Sequence, residues 1–287
     1  MLRCLVLFAA VPLVGQTLTP ALMRWRQEIE ARGTPVYITR VDYNPARNTI
    51  GLPQDAPRRD IFASYLRSPA FLNDFQHLYA ASITHKEEGK ESYLILLNTA
   101  RADEWRDAEE AVLAHELGHH WLQSLGYPAP AYQPGPLSCV SMFAGDVVQH
   151  VLIRQELDRR EINHRGLMAR VLDATARHLA ANPKPPASDR CLLVRQAAQL
   201  ADAILGMSGA PWPGREAYDA AWREKLPDIE VPVGKIVRYL RNRDVAPLDA
   251  HKEAVQFAYE QLLALYLSSI TGEVVREPAP SVPPKKQ

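Results

Sequence analysis

The chain carries histidine, glutamate and histidine at positions 115, 116 and 119, in the run Ala114-His115-Glu116-Leu117-Gly118-His119. Two histidines four apart on a helix lie one turn above each other, so both imidazoles aim at one point from one rigid element. Zinc accepts imidazole nitrogen readily. Glu116 is rotated about 100° from His115 by the helical pitch, so it flanks such a metal instead of joining the histidine stripe. From there its carboxylate can take a proton from water that the metal has made acidic. The residue types therefore point to metal-assisted hydrolysis, with Zn2+ as cofactor, His115 and His119 as ligands and Glu116 as general base. By ordinary residue frequencies the spacing arises by accident in about one chain of this size in a hundred, and few such accidents fall inside a helix that follows a strand.

The element that must hold this triplet is the clearest helix in the sequence. Asp107 to Leu125 opens with Glu109 and Glu110, which suit the positive helix end. Leu113, Leu117 and Leu125 supply apolar positions, and Gly126 and Pro128 stop it. Ser92 to Asn98 before it reads as a strand, as does Pro35 to Val41. Thr19 to Arg32 reads as a helix with Leu22, Trp25 and Ile29 on one stripe, Thr19 as cap and Pro20 at its first position. Asn44 to Pro57 reads as loop, Asp60 to Ser82 as helix broken near Ser68-Pro69, and His85 to Lys90 as a polar turn. A Pro-rich connection, Tyr127 to Leu137, leads into a mostly helical remainder: Ser141 to Glu161, His164 to Ala181, Ser188 to Met207, Glu216 to Arg223, Gly234 to Arg241 and Leu248 to Ile270. The fold class expected is α+β, with a small N-terminal sheet and the motif helix to about residue 126 and a helical part from about residue 138.

A catalytic zinc needs a third protein ligand and an open position for water. Met142, Asp146, His150, Ile153 and Leu157 form a stripe at offsets of four, four, three and four. Three of the five are apolar, so the stripe should face inward and bury Asp146 and His150, which then need polar partners or a metal. Either residue can serve. Glu156 shares its side of the helix with Gln149 and Arg160 and reads as solvated. His120 points about 100° away from His119 and is expected to pack outside the ligand set. His77, His85, His164, His178 and His251 have no companion at ligand spacing and read as surface or core residues. Tyr127 and Tyr132 follow the motif helix and are read chiefly as loop packing, with oxyanion stabilisation as the alternative.

The run AHELGHH, preceded by the strand YLILLN, resembles the zincin superfamily of zinc metallopeptidases over about Ser92 to His150. The resemblance implies an active-site helix beneath a small sheet whose edge strand binds an extended peptide, so the partner expected is a peptide or protein substrate. It places Asp146 first and His150 second as third ligand, because a carboxylate on a later helix often completes such sites. Leu122 and Leu125 stand where the metzincin pattern has Gly and His, and neither a gluzincin-like nor an aspzincin-like assignment is reached. The alternatives to a peptidase are a zinc hydrolase acting on a non-peptide amide or small molecule, and a catalytically inert metal-binding protein.

Composition sets the remaining bounds. The chain has 287 residues, 47% hydrophobic, enough for one large domain or two small, closely packed ones. Lys plus Arg equals Asp plus Glu, 33 each, which argues against a nucleic-acid or anionic-membrane surface. Residues 1–15, with Arg3 before the apolar run Leu5 to Val14, read as a secretory signal peptide too short to span a bilayer comfortably. An exported location follows, with the mature domain expected over 16–274 and a disordered Pro-rich tail over 275–287. Without the leader, Cys139 and Cys191 remain, and export favours their pairing.

Overall fold

The computed structural model describes residues 18–44, 46–47, 49–68, 71–72, 75–129, 135, 137–183 and 189–271. The expected leader, the tail and Tyr132 lie outside them. No helix among the described residues is long and apolar enough to cross a membrane.

The protein is α+β. Helix α1 (Pro20–Glu30) is followed by strands β1 (Val36–Asn44) and β2 (Thr49–Gly51), a short helix α2 (Arg59–Tyr65) and the hairpin β3 (Ala80–Glu87) and β4 (Lys90–Asn98). A single turn, α3 (Ala102–Trp105), precedes the motif helix α4 (Glu109–Ser124). Then come α5 (Ser138–Arg159), α6 (Arg165–Ala181), α7 (Arg190–Gly206), α8 (Arg215–Lys225), α9 (Glu230–Arg241) and α10 (Leu248–Thr271). Thr19 caps α1 by accepting from the Leu22 amide, with Pro20 in the first turn.

The sheet order is β2-β1-β4-β3, with β1 parallel to β4 and the other pairs antiparallel. The central strand β4 is buried on both faces, as its unbroken apolar run requires. Tyr93, Ile95 and Leu97 face the main helical core, and Leu94 and Leu96 face a smaller cluster with Ile61, Phe62, Leu66 and Phe75. β3 therefore forms an edge of the sheet, and it lies alongside α4.

Four local expectations are corrected. The segment expected to stay helical to Ser82 becomes strand from Ala80, and the polar turn expected over His85 to Lys90 is strand as far as Glu87. Edge strands tolerate polar side chains, and the turn itself is only Glu88-Gly89, both at positive φ (49° and 77°), the geometry a two-residue hairpin requires. The expected loop after Asn44 contains β2, too short and too exposed to show an apolar pattern. Leu125 ends α4 exposed rather than buried.

The helices stack around α5. α4 reaches α5 through Gly118, where a Cβ would lie 2.7 Å from Ile153 Cγ2. On its other side α4 carries Trp121, edge-on to Trp25 of α1 with ring centroids 6.1 Å apart. Cys139, in the first turn of α5, is disulfide-bonded to Cys191, in the first turn of α7, with Cα atoms 5.7 Å apart. The two residues are 52 apart in sequence; closing a loop of that length restricts the unfolded chain by about 4 kcal/mol in the chain-entropy model. Oxidised protein should show no titratable thiol at Cys139 or Cys191 when denatured without reductant. Its unfolding midpoint should fall on reduction by an amount of that order, as denaturant titration would measure; two free thiols in natively produced material would contradict the bond.

Candidate metal centre

α4 presents His115 and His119 on one stripe, one turn apart. α5 crosses α4 at the Gly118–Ile153 contact, which brings the turn of α5 just before Ile153, and with it His150, level with the two histidines. The ring centroids of His115 and His119 are 5.0 Å apart, those of His115 and His150 4.7 Å, and those of His119 and His150 5.2 Å. Each ring offers one nitrogen, and these lie within 4.8 Å of one another. Tetrahedral zinc with Zn–N bonds of 2.0–2.1 Å separates its ligand nitrogens by about 3.3–3.4 Å, which small side-chain rotations would reach. Among the described residues no other group of three or more His, Cys, Asp or Glu side chains converges in this way.

Of the two residues expected as third ligand, the structure brings only the second choice into the cluster. His150 joins His115 and His119, and Asp146 does not. The two share the stripe on α5, but Asp146 lies one turn, about 6 Å, nearer the helix start, beyond the level of the α4 histidines. Its carboxyl still borders the site. Burial pushes it up to about 6, opposed by the nearby His150 and assisted by Asp202.

Two of the three imidazoles are held from behind. His119 Nδ1 is 2.9 Å from Gln149 Oε1, and Gln149 Nε2 donates to the Pro128 carbonyl at 2.7 Å. The amide is thereby oriented with its oxygen to the ring, so His119 Nδ1 is the donor and Nε2 is left with its lone pair. His150 Nδ1 is 3.2 Å from Asp202 Oδ1, and Arg154 pairs with the same oxygen. Such partners fix the tautomer and ring direction of metal-ligating histidines. Burial, followed by the neighbouring imidazoles, holds His115 well below the ordinary histidine range, and burial brings His119 to about 4. Both are therefore neutral donors at pH 7. His150 differs: burial opposes its charge, but Asp202 and, behind it, Asp146 together raise it. The donor set fits a zinc ion with three imidazole ligands and an open fourth position.

Glu116 sits beside this centre and faces β3. Burial raises it to about 7, against the opposing effect of hydrogen bonding from Ser82 of β3. The edge strand is tied to α4 a second time by Thr84 Oγ1, which donates to Gln123 Oε1 at 2.5 Å.

The other expected residues lie elsewhere. His120 is fully buried and stacks on Tyr93, with centroids 4.4 Å apart and planes 12° apart, outside the ligand set. Tyr127 donates to the Ala246 carbonyl and packs edge-on against His251, a structural role. His164 pairs with Asp158 at 3.1 Å. Glu156, expected to be solvated, is buried beneath Arg159 and Arg160, which hold its carboxylate; the two arginines, not water, satisfy the charge. Gln149 and Asp202, which hold His119 and His150 from behind, are the site residues that the sequence did not single out. Asp202 left a signal, a lone acid within Leu200-Ala201-Asp202-Ala203-Ile204-Leu205. Gln149 left none that distinguishes it from a surface amide.

Comparison with family models, curated proteins and solved structures finds no match for this chain.

Gly118 is the residue whose size the centre depends on most directly. Gly118→Ala should destabilise the protein by about 1–3 kcal/mol, the cost of overpacking against the buried Ile153. It should also weaken zinc binding, because it pushes His119 away from His150. Thermal unfolding and a chelator competition on the same preparation measure both; a variant with parental stability and affinity would refute the close-approach argument.

Proposed function

We propose that this chain is a zinc-dependent hydrolase of zincin type, acting on peptide bonds. The observation that carries the reading is the convergence of His115, His119 and His150 beside Glu116, next to the edge strand β3. Bound zinc would act there as a Lewis acid toward the scissile carbonyl and would make water acidic enough to attack near neutral pH.

The chain's own residues supply the rest. A Glu116 carboxylate oxygen takes the proton of the attacking water and returns it to the leaving amine nitrogen. Ser82 hydrogen-bonds that carboxylate and favours its ionised form. Among the described residues β3 has no strand on its outer side, and an extended peptide can add to such an edge by main-chain hydrogen bonds. This geometry favours a peptide over a compact small molecule, which has no use for an extended strand edge. The Cys139–Cys191 bond agrees with an oxidising compartment, in keeping with an exported enzyme.

Glu116→Gln should lower hydrolysis of a peptide library by at least about 10²-fold while the zinc content of the purified protein stays at the parental level. His150→Ala should lose zinc, whereas Asp146→Ala should retain it. Parental activity in Glu116→Gln would remove the general base, and zinc loss in Asp146→Ala with retention in His150→Ala would restore the carboxylate ligand.

A further inference from the structure

The disulfide and the support of His150 belong to one helix pair. α5 and α7 run parallel and in register, residue against residue 52 further on. Cys139 is bonded to Cys191, His150 meets Asp202, and a Cβ on Gly206 would lie 3.0 Å from Arg154 Cδ. On each helix the step from cysteine to site residue is the same, Cys139 to His150 and Cys191 to Asp202, about three full turns in a helix of 3.6 residues per turn. The covalent bond and the hydrogen bond are therefore rungs on the same faces of the same two helices. A slip of α7 by one residue would move Asp202 by about 1.5 Å along the axis and swing it by about 100°, which removes it from His150.

The geometry points to Asp202 as the positioning residue of the third ligand, with the Cys139–Cys191 bond fixing the helix register that keeps it in place. The carboxylate accepts from His150 Nδ1–H, so the proton stays on Nδ1 and the Nε2 lone pair faces His115 and His119. Arg154 pairs with the same carboxylate oxygen, so Asp202 cannot turn away without also losing its partly buried cation partner. The consequence is redox-dependent: reduction of a bond three turns distant would loosen the metal centre without touching any ligand. Cys191 is exposed, so a reductant can reach the bond. This inference rests on the zinc centre proposed above.

The test measures zinc affinity by chelator competition on the full chain, for the parent, Asp202→Asn, the double variant Cys139→Ser/Cys191→Ser, and the three changes combined. Folding is checked by circular dichroism. Asp202→Asn should lose about 10–100-fold in affinity, and Asp202→Glu should recover part of it. The cysteine pair should also lose affinity, by no more than Asp202→Asn does. Combining the changes should cost little beyond Asp202→Asn alone, because both act through one contact. Parental affinity in Asp202→Asn, or fully additive losses, overturns the proposal. If a variant does not fold, long-range proton–nitrogen correlation spectra of the intact parent decide: His150 protonated on Nδ1 supports it, and His150 protonated on Nε2 overturns it. Failure of the zinc centre itself would look different, with a parent that binds no zinc or a His115→Ala variant that binds it undiminished.

Discussion

The contact of Gly118 with Ile153 governs the centre, because three imidazoles meet only if two helices approach closely. Packed helices lie about 8–10 Å apart, according to the side chains between them. With no side chain at 118, α4 packs its backbone against a β-branched residue that is itself fully buried, Ile153, leaving no room for even a Cβ. Both neighbours of Gly118 in the motif then do separate work: Leu117 enters the core and His119 enters the centre. The far side of α4 is braced by Trp121 against Trp25, and its edge by Gln123 against Thr84. The helix is thus fixed on three sides before any metal is considered.

Charge follows from that packing. Burial keeps His115 and His119 neutral, so they present lone pairs instead of protons. Asp202 stays ionised, held well below the ordinary carboxylate range by Arg154 and then His150 despite its burial. One cation and one anion are therefore paired behind the site, both only partly exposed, and breaking such a pair would cost more than removing a fully exposed one. Glu116 and Asp146 are different: burial raises both, and the strand amide and hydroxyl of Ser82 oppose it only at Glu116. Two carboxyls thus border one group of imidazoles, and a cation bound by the imidazoles would favour the ionised form of each.

What the sequence made legible followed the range of the interactions involved. His115, Glu116 and His119 sit on one helix, so their relation is fixed by helical pitch and could be read directly. The helices from α4 onward were recognisable because their apolar faces recur at helical spacing, and the cysteine pair because only two remain after residue 15. The β3 strand was not, since an edge strand carrying Ser82, Thr84, His85 and Lys86 has no apolar alternation to betray it. Choosing between Asp146 and His150 needed the crossing point of α4 and α5, which a single helix stripe does not contain. Glu156 and Gln149 were misplaced for a related reason. A buried charge or amide looks like a solvated one until its partners are known, here Arg159 and Arg160 for one and His119 with Pro128 for the other.

The division between short-range and long-range parts also fixes how metal and fold are coupled. His115 and His119 form a half-site whenever α4 is helical, even in a partly folded chain. His150 joins them only when α5 has docked through Ile153, and its ring is held only when α7 has brought Asp202 into register. A metal that needs all three imidazoles binds the native state far better than the unfolded one, and its binding free energy then adds to stability by mass action. A half-site of two histidines retains some affinity in the unfolded chain, which reduces that gain. The elements that complete the histidine cluster are therefore also the ones through which a bound metal would stabilise the fold. The disulfide acts on the same step from the other direction, since it restricts the relative placement of α5 and α7 in the unfolded chain before either has met α4.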